Sequence, residues 1–308
     1  MREVKSQTMK TPELNSDTPP VFIERRFPTH DGIELVADIG GDPEAVPVVL
    51  LHGGGQTRHS WKNAAGALVD AGYHVINLDL RGHGDSGWSP QGVYTGAVFV
   101  ADVRTVLAAL PRPAILVGAS LGGMVSLAAQ GGAKDDFAVA LVLVDIAPKV
   151  EPEGVQQIVQ FMAMTRDGFD SLEAAADAIA HYLPHRPKPQ QLDGLRKNLN
   201  LGPDGRFRWH WDPEFVTGAQ RPRAEDVQQQ LQAAARTLRI PTLLVRGAKS
   251  QLVSDDSVAD MRALVPHAEF VDVLGAHHMV AGDENDAFNQ AVIEFLLRCA
   301  PPHAGAGQ

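Results

Sequence analysis

The sequence predicts an α/β fold, a mostly parallel, doubly wound sheet interrupted by an inserted helical cap, and three features of the 308-residue chain lead there. Short runs rich in β-branched residues alternate with segments of helical periodicity. Runs such as Val48-Val49-Leu50-Leu51 and Ala140-Leu141-Val142-Leu143-Val144 carry no polar alternation, as strands covered on both faces require. The alternation then breaks between about Pro148 and Arg239, where helical patterns predominate and no strand is expected.

In chain order, residues 1–20 are polar, end in Pro19-Pro20 and read as a flexible tail. Strands are expected at about 22–28 and 33–39, split by the turn His30-Asp31-Gly32, and then at 46–51, 74–80, 114–117, 139–145, 242–245 and 269–273. Trp61, Ala64, Ala65, Leu68 and Val69 form one helical stripe, and Phe288, Ala291, Val292, Phe295 and Leu296 form another. Cys299 continues the second stripe and reads as a packing residue rather than a reactive thiol. The core is assigned to residues 21–148 and 239–300 and the cap to 149–238, with helices at 155–164, 171–182 and 224–237 and an aromatic cluster at Phe207, Trp209 and Trp211. Residues 301–308 are rich in Pro, Gly and Ala and read as a second tail. No fixed period repeats along the chain, which excludes a solenoid or propeller.

Thirty-seven acids against 27 bases leave a net charge of -10, which supplies no attraction to nucleic acid phosphates or anionic lipid. No apolar run reaches the roughly 18 residues of a membrane span, and residues 1–20 lack a signal-peptide core, so neither a membrane nor an export route is expected. The single cysteine forms no internal disulfide and fits a reducing, cytoplasmic compartment. No motif specifies an oligomeric state.

Three segments carry chemistry. Ile115-Leu116-Val117-Gly118-Ala119-Ser120-Leu121-Gly122-Gly123 is a strand, a G-x-S-x-G turn and the start of a helix. A serine on such a turn is held in a strained geometry with its hydroxyl above the sheet edge, and Gly118 and Gly122 are needed because a Cβ would clash with the neighbouring strand and helix. Val48-Val49-Leu50-Leu51-His52-Gly53-Gly54-Gly55 is a buried strand ending in a glycine loop. Acyl transfer needs two N–H donors aimed at the oxyanion, here the N–H of Leu121 and one from this loop, with Gly54 the choice. Val271-Asp272-Val273-Leu274-Gly275-Ala276-His277-His278-Met279 runs from a strand into two histidines. A serine needs a neutral imidazole to accept its proton, and the order serine first, histidine last points to His278.

Together, His52-Gly53-Gly54-Gly55, Arg81-Gly82-His83-Gly84-Asp85-Ser86, Gly118-Ala119-Ser120-Leu121-Gly122 and Gly275-Ala276-His277-His278-Met279 resemble the α/β-hydrolase superfamily over about Val21 to Cys299. The resemblance is to the capped serine esterase, lactonase and peroxidase-like branch, and it implies an α/β-hydrolase fold with the cap after the sixth strand. It implies a cofactor-free and metal-free serine hydrolase of small to medium carboxylic esters or lactones, working through an acyl-enzyme. A C–C bond hydrolase, a perhydrolase or a dioxygenase on the same scaffold are the alternatives, as is a non-catalytic ligand-binding protein. Epoxide hydrolases and dehalogenases of the superfamily carry aspartate at the elbow, which Ser120 argues against.

One position departs from the pattern. Many relatives place the triad acid after the strand at 242–245, where this chain has Gln251, and an amide supplies no negative charge. Asp145, at the end of the strand 139–145, is the candidate acid; Asp255 and Asp256 are the other options, although Ser254-Asp255-Asp256 reads more simply as a helix N-terminal cap. Gly53, His59, Met162, Trp209 and Trp211 are expected around the substrate, with Phe161 and Met164 nearby, against the equal expectation that the cap residues are simple core. Gly82-His83-Gly84-Asp85-Ser86-Gly87 matches a dinucleotide fingerprint, but no helix start follows it, so it reads as a turn and Ser86 as no nucleophile. His181 and His185 stand four apart, but Pro184 between them argues against a metal pair.

Overall fold

Eight strands hydrogen-bond into one sheet. The computed structural model describes residues 19–131, 137–184, 192–218, 223–274 and 285–303. β1 (Phe22–Pro28) and β2 (Glu34–Gly40) form an antiparallel hairpin that joins β4 (His74–Leu78) antiparallel. From β4 onward, β3 (Pro47–Leu51), β5 (Ala114–Ala119), β6 (Ala138–Val144), β9 (Thr242–Gly247) and β10 (Glu269–Val273) are all parallel.

The apolar runs follow from burial on both faces. Val49, Leu51, Leu141 and Leu143 point into one core layer with α2 (Gly96–Ala108), α3 (Leu121–Gln130) and α9 (Asp255–Leu264). Val48, Leu50, Ala140, Val142 and Val144 point into the other, covered by α1 (Lys62–Asp70) and α10 (Asn285–Cys299). Trp61 and Phe288 meet there with ring centroids 5.8 Å apart, and Cys299 packs at its margin.

The segment between β6 and β9 carries α4 (Pro152–Met164), α5 (Leu172–Tyr182), α6 (Asp193–Arg196), β7 (Leu199–Leu201), β8 (Phe207–Trp209), α7 (Glu214–Thr217) and α8 (Ala224–Arg236). Two features differ from expectation. β7 and β8 pair as an antiparallel hairpin, each too short for a periodic signal, although Gly202-Pro203-Asp204-Gly205 is turn chemistry that marks it. α8, expected in the cap, buries Leu231, Ala234 and Ala235 in the layer of α3, because it is the crossover that returns the chain to the sheet. The rest of the insertion builds its own small clusters, around Phe169, Ala175 and Leu199 and around Met162, Trp211 and Val216. Beyond α10, where a tail was expected from 301 onward, the Pro302 carbonyl accepts the Val46 N–H at 2.8 Å. Among the described residues no helix is long and apolar enough to cross a membrane.

A buried polar scaffold fixes the loop after β4. Arg81, 1% exposed, donates two hydrogen bonds of 2.7 Å to Asp102 and two more to Asp31. Asp79 accepts from the Arg58 N–H at 2.6 Å, from the Arg58 guanidinium and from the Asp85 N–H at 3.0 Å. Ser86 is buried, donating to the Asp79 carbonyl and accepting the Val36 N–H, and Gly82 closes the turn onto Gly87 at 3.0 Å. The motif at 82–87 is thus a turn held by its own polar groups.

Two fully buried histidines complete this scaffold. His52 Nδ1 bonds the Gly53 carbonyl at 2.8 Å while Nε2 accepts the Leu80 N–H at 3.0 Å. His83 repeats the pattern, with Nδ1 on the Arg81 carbonyl at 2.9 Å and Nε2 accepting the Gly55 N–H at 3.1 Å. Both are therefore neutral Nδ1–H tautomers. Burial lowers His52 to about 4, and burial together with the neighbouring His52 lowers His83 to about 3.

Replacing Arg81 by Met leaves Asp102 buried without its cation, and urea unfolding should show a loss of about 3–5 kcal/mol. The histidine pair sets a pH dependence. An unfolded chain protonates them near pH 6.5 whereas the folded one resists to about 4 or below, so their contribution is complete above pH 6.5 and is lost as pH falls toward 4. His83→Gln should flatten the slope of stability against pH in that window by about one proton, or about 1.4 kcal/mol per pH unit. Equal slopes for the two proteins would remove this role.

Candidate active site

The carboxyl ends of β3, β5 and β6 lie side by side on one rim of the sheet, with Leu51 in register with Gly118 and Ala119 with Val144. Open α/β sheets bind ligands at this rim. β3 runs into Gly53-Gly54-Gly55, β5 turns at Ser120 into α3, and β6 ends at Asp145.

Ser120 has φ +46° and ψ -113°, a conformation side-chain-bearing residues rarely adopt. Its N–H bonds the Val144 carbonyl at 3.2 Å, and its carbonyl starts the helix ladder by accepting the Met124 N–H at 2.9 Å. The turn is tight enough that a Cβ on Gly118 would lie 2.4 Å from the Gly122 carbonyl carbon, and one on Gly122 would lie 2.2 Å from the Leu51 oxygen. The glycines expected to be obligatory are so for the expected reason.

The glycine loop folds over the serine, and a Cβ on Gly53 would stand 3.4 Å from that of Ser120. Gly53 and Gly55 spend their N–H groups internally, on the Gln56 side chain at 2.9 Å and on His83. The N–H groups of Gly54 and Leu121 have no acceptor among the described residues, and Leu121 opens α3, where helix N–H groups are unsatisfied. A Cβ on Gly54 would be 3.9 Å from that of Leu121, so the two donors are neighbours. Both N–H groups are thus left available at the rim beside Ser120.

Asp145 is fully buried and, with φ +49°, is the other non-glycine residue of positive φ among the described residues. Its N–H bonds the Val245 carbonyl at 2.7 Å; its carboxylate accepts the Gly247 N–H at 3.1 Å and the Ser250 hydroxyl at 2.6 Å. Ser250 is itself held, accepting the Leu252 and Val253 N–H groups at 3.1 Å each. Gln251 is exposed, with its main-chain oxygen turned toward Gly154. Asp255 and Asp256 are exposed on the first turn of α9 behind the Ser254 cap, and Asp255 pairs with Arg246 at 2.7 Å. His277 and His278 lie outside the described residues, as does His185.

The insertion reaches the glycine loop through Met162 and Trp211, whose nearest atoms lie 3.0 and 3.7 Å from a Cβ built on Gly55. Trp209 packs behind them, its indole N–H on Thr165 and its ring against Phe161 and Phe169. Phe161 stacks on Tyr182 at 4.2 Å, inside the insertion. Met164 is 76% exposed, on the outward side of α4, and does not line the site. His59 is exposed, within electrostatic range of Asp85 and His210. Two residues went unnoticed in the sequence. Phe215 stands 3.3 Å from a Cβ built on Gly54, and Ser250 holds Asp145; the only local hints were an aromatic just past Pro213 and a hydroxyl in the loop after β9.

Comparison with known proteins agrees with this fold. The alpha/beta hydrolase fold profile matches residues 46–284. An esterase of Mycobacterium tuberculosis is 29% identical over 252 residues, covering 80% of each chain, and a 3-hydroxybutyrate-oligomer hydrolase of Cupriavidus necator is 27% identical over 253 residues, covering 77% of this chain and 84% of its own. A crystal structure of the Mycobacterium tuberculosis esterase superposes with a TM-score of 0.70 at 28% identity, covering 91% of this chain and 92% of that one. The strand order, the strained serine between β5 and α3 and these matches together make the chain a member of the α/β-hydrolase fold family.

Proposed function

We propose that the protein is a serine hydrolase of small to medium carboxylic esters or lactones that works through an acyl-enzyme. The observation that carries this reading is Ser120, strained at the sheet rim beside two N–H groups, Gly54 and Leu121, that have no acceptor among the described residues. The esterase and the ester-oligomer hydrolase among its relatives support the same chemistry.

In this mechanism Ser120 Oγ attacks the carbonyl carbon while its proton passes to His278, the base assigned by chain order. The carbonyl oxygen gathers negative charge between the Gly54 and Leu121 N–H groups, each such donor being worth about 10² to 10³ in turnover. The C–O bond to the alcohol then breaks, and His278 returns the proton to the departing oxygen. Water, deprotonated by the same imidazole, releases the acid and restores Ser120. Asp145 stabilises the imidazolium and selects its tautomer. Its burial and its bonds from Gly247 and Ser250 suit that role, because a carboxylate so held is aimed in one direction. Gln251 is exposed, which supports the choice of Asp145 over that loop position as the acid.

Ser120→Ala should abolish both hydrolysis of p-nitrophenyl esters and labelling by a fluorophosphonate probe. Asp145→Asn should lower kcat by about 10³ to 10⁴, while Gln251→Ala should leave it within about twofold, a surface change away from the acid. A nearly silent Asp145→Asn would require another acid. Turnover should fall as pH drops through the His278 pKa, since imidazolium accepts no proton. The buried pair His52 and His83 stays neutral there and adds nothing to that limb.

A further inference from the structure

One of the places where the insertion is fastened to the core is the loop after β4. The Gly84 N–H donates to the His210 carbonyl at 2.7 Å, the Asp212 N–H donates to the Gly82 carbonyl at 2.8 Å, and His83 and Trp211 form an antiparallel bridge between them. Tyr94 closes the junction. Its hydroxyl donates to the Asp212 carboxylate and accepts the Ser89 N–H at 2.9 Å, and its ring lies over Gly82, where a Cβ would come within 2.4 Å. Burial and the Asp212 carboxylate both push the phenol up, so it remains a donor at any working pH.

Asp212 also starts the turn that carries Phe215: its carboxylate accepts the Glu214 N–H at 3.0 Å and its carbonyl the Phe215 N–H at 2.9 Å. The Phe215 ring then stands edge-on to His83, Tyr94 and Phe99, with centroids 4.9, 6.0 and 6.1 Å away. It stands beside Gly54, one of the two oxyanion donors of the proposed mechanism, 3.3 Å from where a Cβ on that glycine would lie, and is half-buried with part of its surface open.

The side of the carbonyl that faces Phe215 follows from the strand order. In the proposed mechanism the alcohol departs toward Asp145, which lies at the end of β6. The acyl chain takes the opposite side, toward β3, the glycine loop and Phe215. We propose that Phe215, seated by the Tyr94–Asp212 hydrogen bond, is a fixed wall that restricts the enzyme to short acyl chains. This rests on the serine hydrolase reading of Ser120. Phe215 determines specificity by contact, and Tyr94 is a positioning residue that acts through it.

The test is kcat/KM for p-nitrophenyl acetate, butyrate, hexanoate and octanoate, which share one leaving group, with fluorophosphonate labelling of Ser120 measured alongside. The wild type should favour acetate or butyrate over octanoate by about tenfold or more, the scale on which a pocket wall discriminates methylenes. Phe215→Ala should raise the octanoate-to-acetate ratio about tenfold, with Phe215→Leu giving a smaller rise and standing in if the alanine variant does not fold. Tyr94→Phe should raise the same ratio a few-fold, and that effect should vanish in the Phe215→Ala background, the signature of a residue acting through another. An unchanged ratio in Phe215→Ala and Phe215→Leu, or a wild type that takes octanoate as readily as acetate, overturns the proposal while labelling still supports the hydrolase. A wild type that is neither labelled nor active on any of the esters overturns both.

Discussion

The N-terminus of α3 lies so close to the ends of β3 and β5 that no side chain fits between them, and this approach organises the rim around it. Gly122 rests against the Leu51 carbonyl and donates its N–H to the His52 carbonyl at 3.1 Å, while Gly118 rests against Gly122. The chain can make so abrupt a passage from strand to helix only by placing Ser120 at φ +46°. A residue in such a conformation costs about 1–3 kcal/mol, tolerated where the surroundings over-determine it. Here they do, through the Val144 carbonyl on one side and the first turn of α3 on the other. The same closeness brings the unsatisfied end of the helix beside the glycine loop, so the strained serine and the open N–H groups share one cause.

The polar groups beneath the rim hold that arrangement from below. Asp79, Arg58, Arg81 and Asp102 are buried and mutually paired, and they fix the loop from which His83 reaches the Gly55 N–H. His52 and His83 work as neutral connectors, each donating at one nitrogen and accepting at the other. Burial suits that task, since a protonated ring would lose its acceptor. Chemistry-bearing residue types in a tight motif, as at 81–86, can thus be wholly occupied with holding a loop.

Much of this was legible in one dimension. Strands that are buried on both faces are apolar throughout, and each expected core strand is present within a few residues of its expected ends. The elbow, the glycine loop and the Ser254 cap were legible because each is a local backbone geometry that demands particular residue types within a few positions. The hairpin β7–β8 was not, because three-residue strands show no period, and α8 was misplaced because an amphipathic pattern shows that a face is buried but not against what. Phe215 and Ser250 were missed for a related reason. Each acts on a partner far along the chain, Gly54 in one case and Asp145 in the other.

The amino-acid sequence by itself determined the parallel sheet and the strained serine between strand and helix, since short-range sterics and periodic burial are written in neighbouring residues. Only the tertiary structure decided which carboxylate is buried beside the serine's strand and which aromatic ring closes on the glycine loop. The sequence already favours Asp145, since Ser254-Asp255-Asp256 reads as a helix cap, but burial is visible only in the fold: Asp145 is sealed at the end of β6 under Gly247 and Ser250, and the other two are exposed on the first turn of α9. Register and burial arise when elements a hundred residues apart pack together, and no local pattern encodes them.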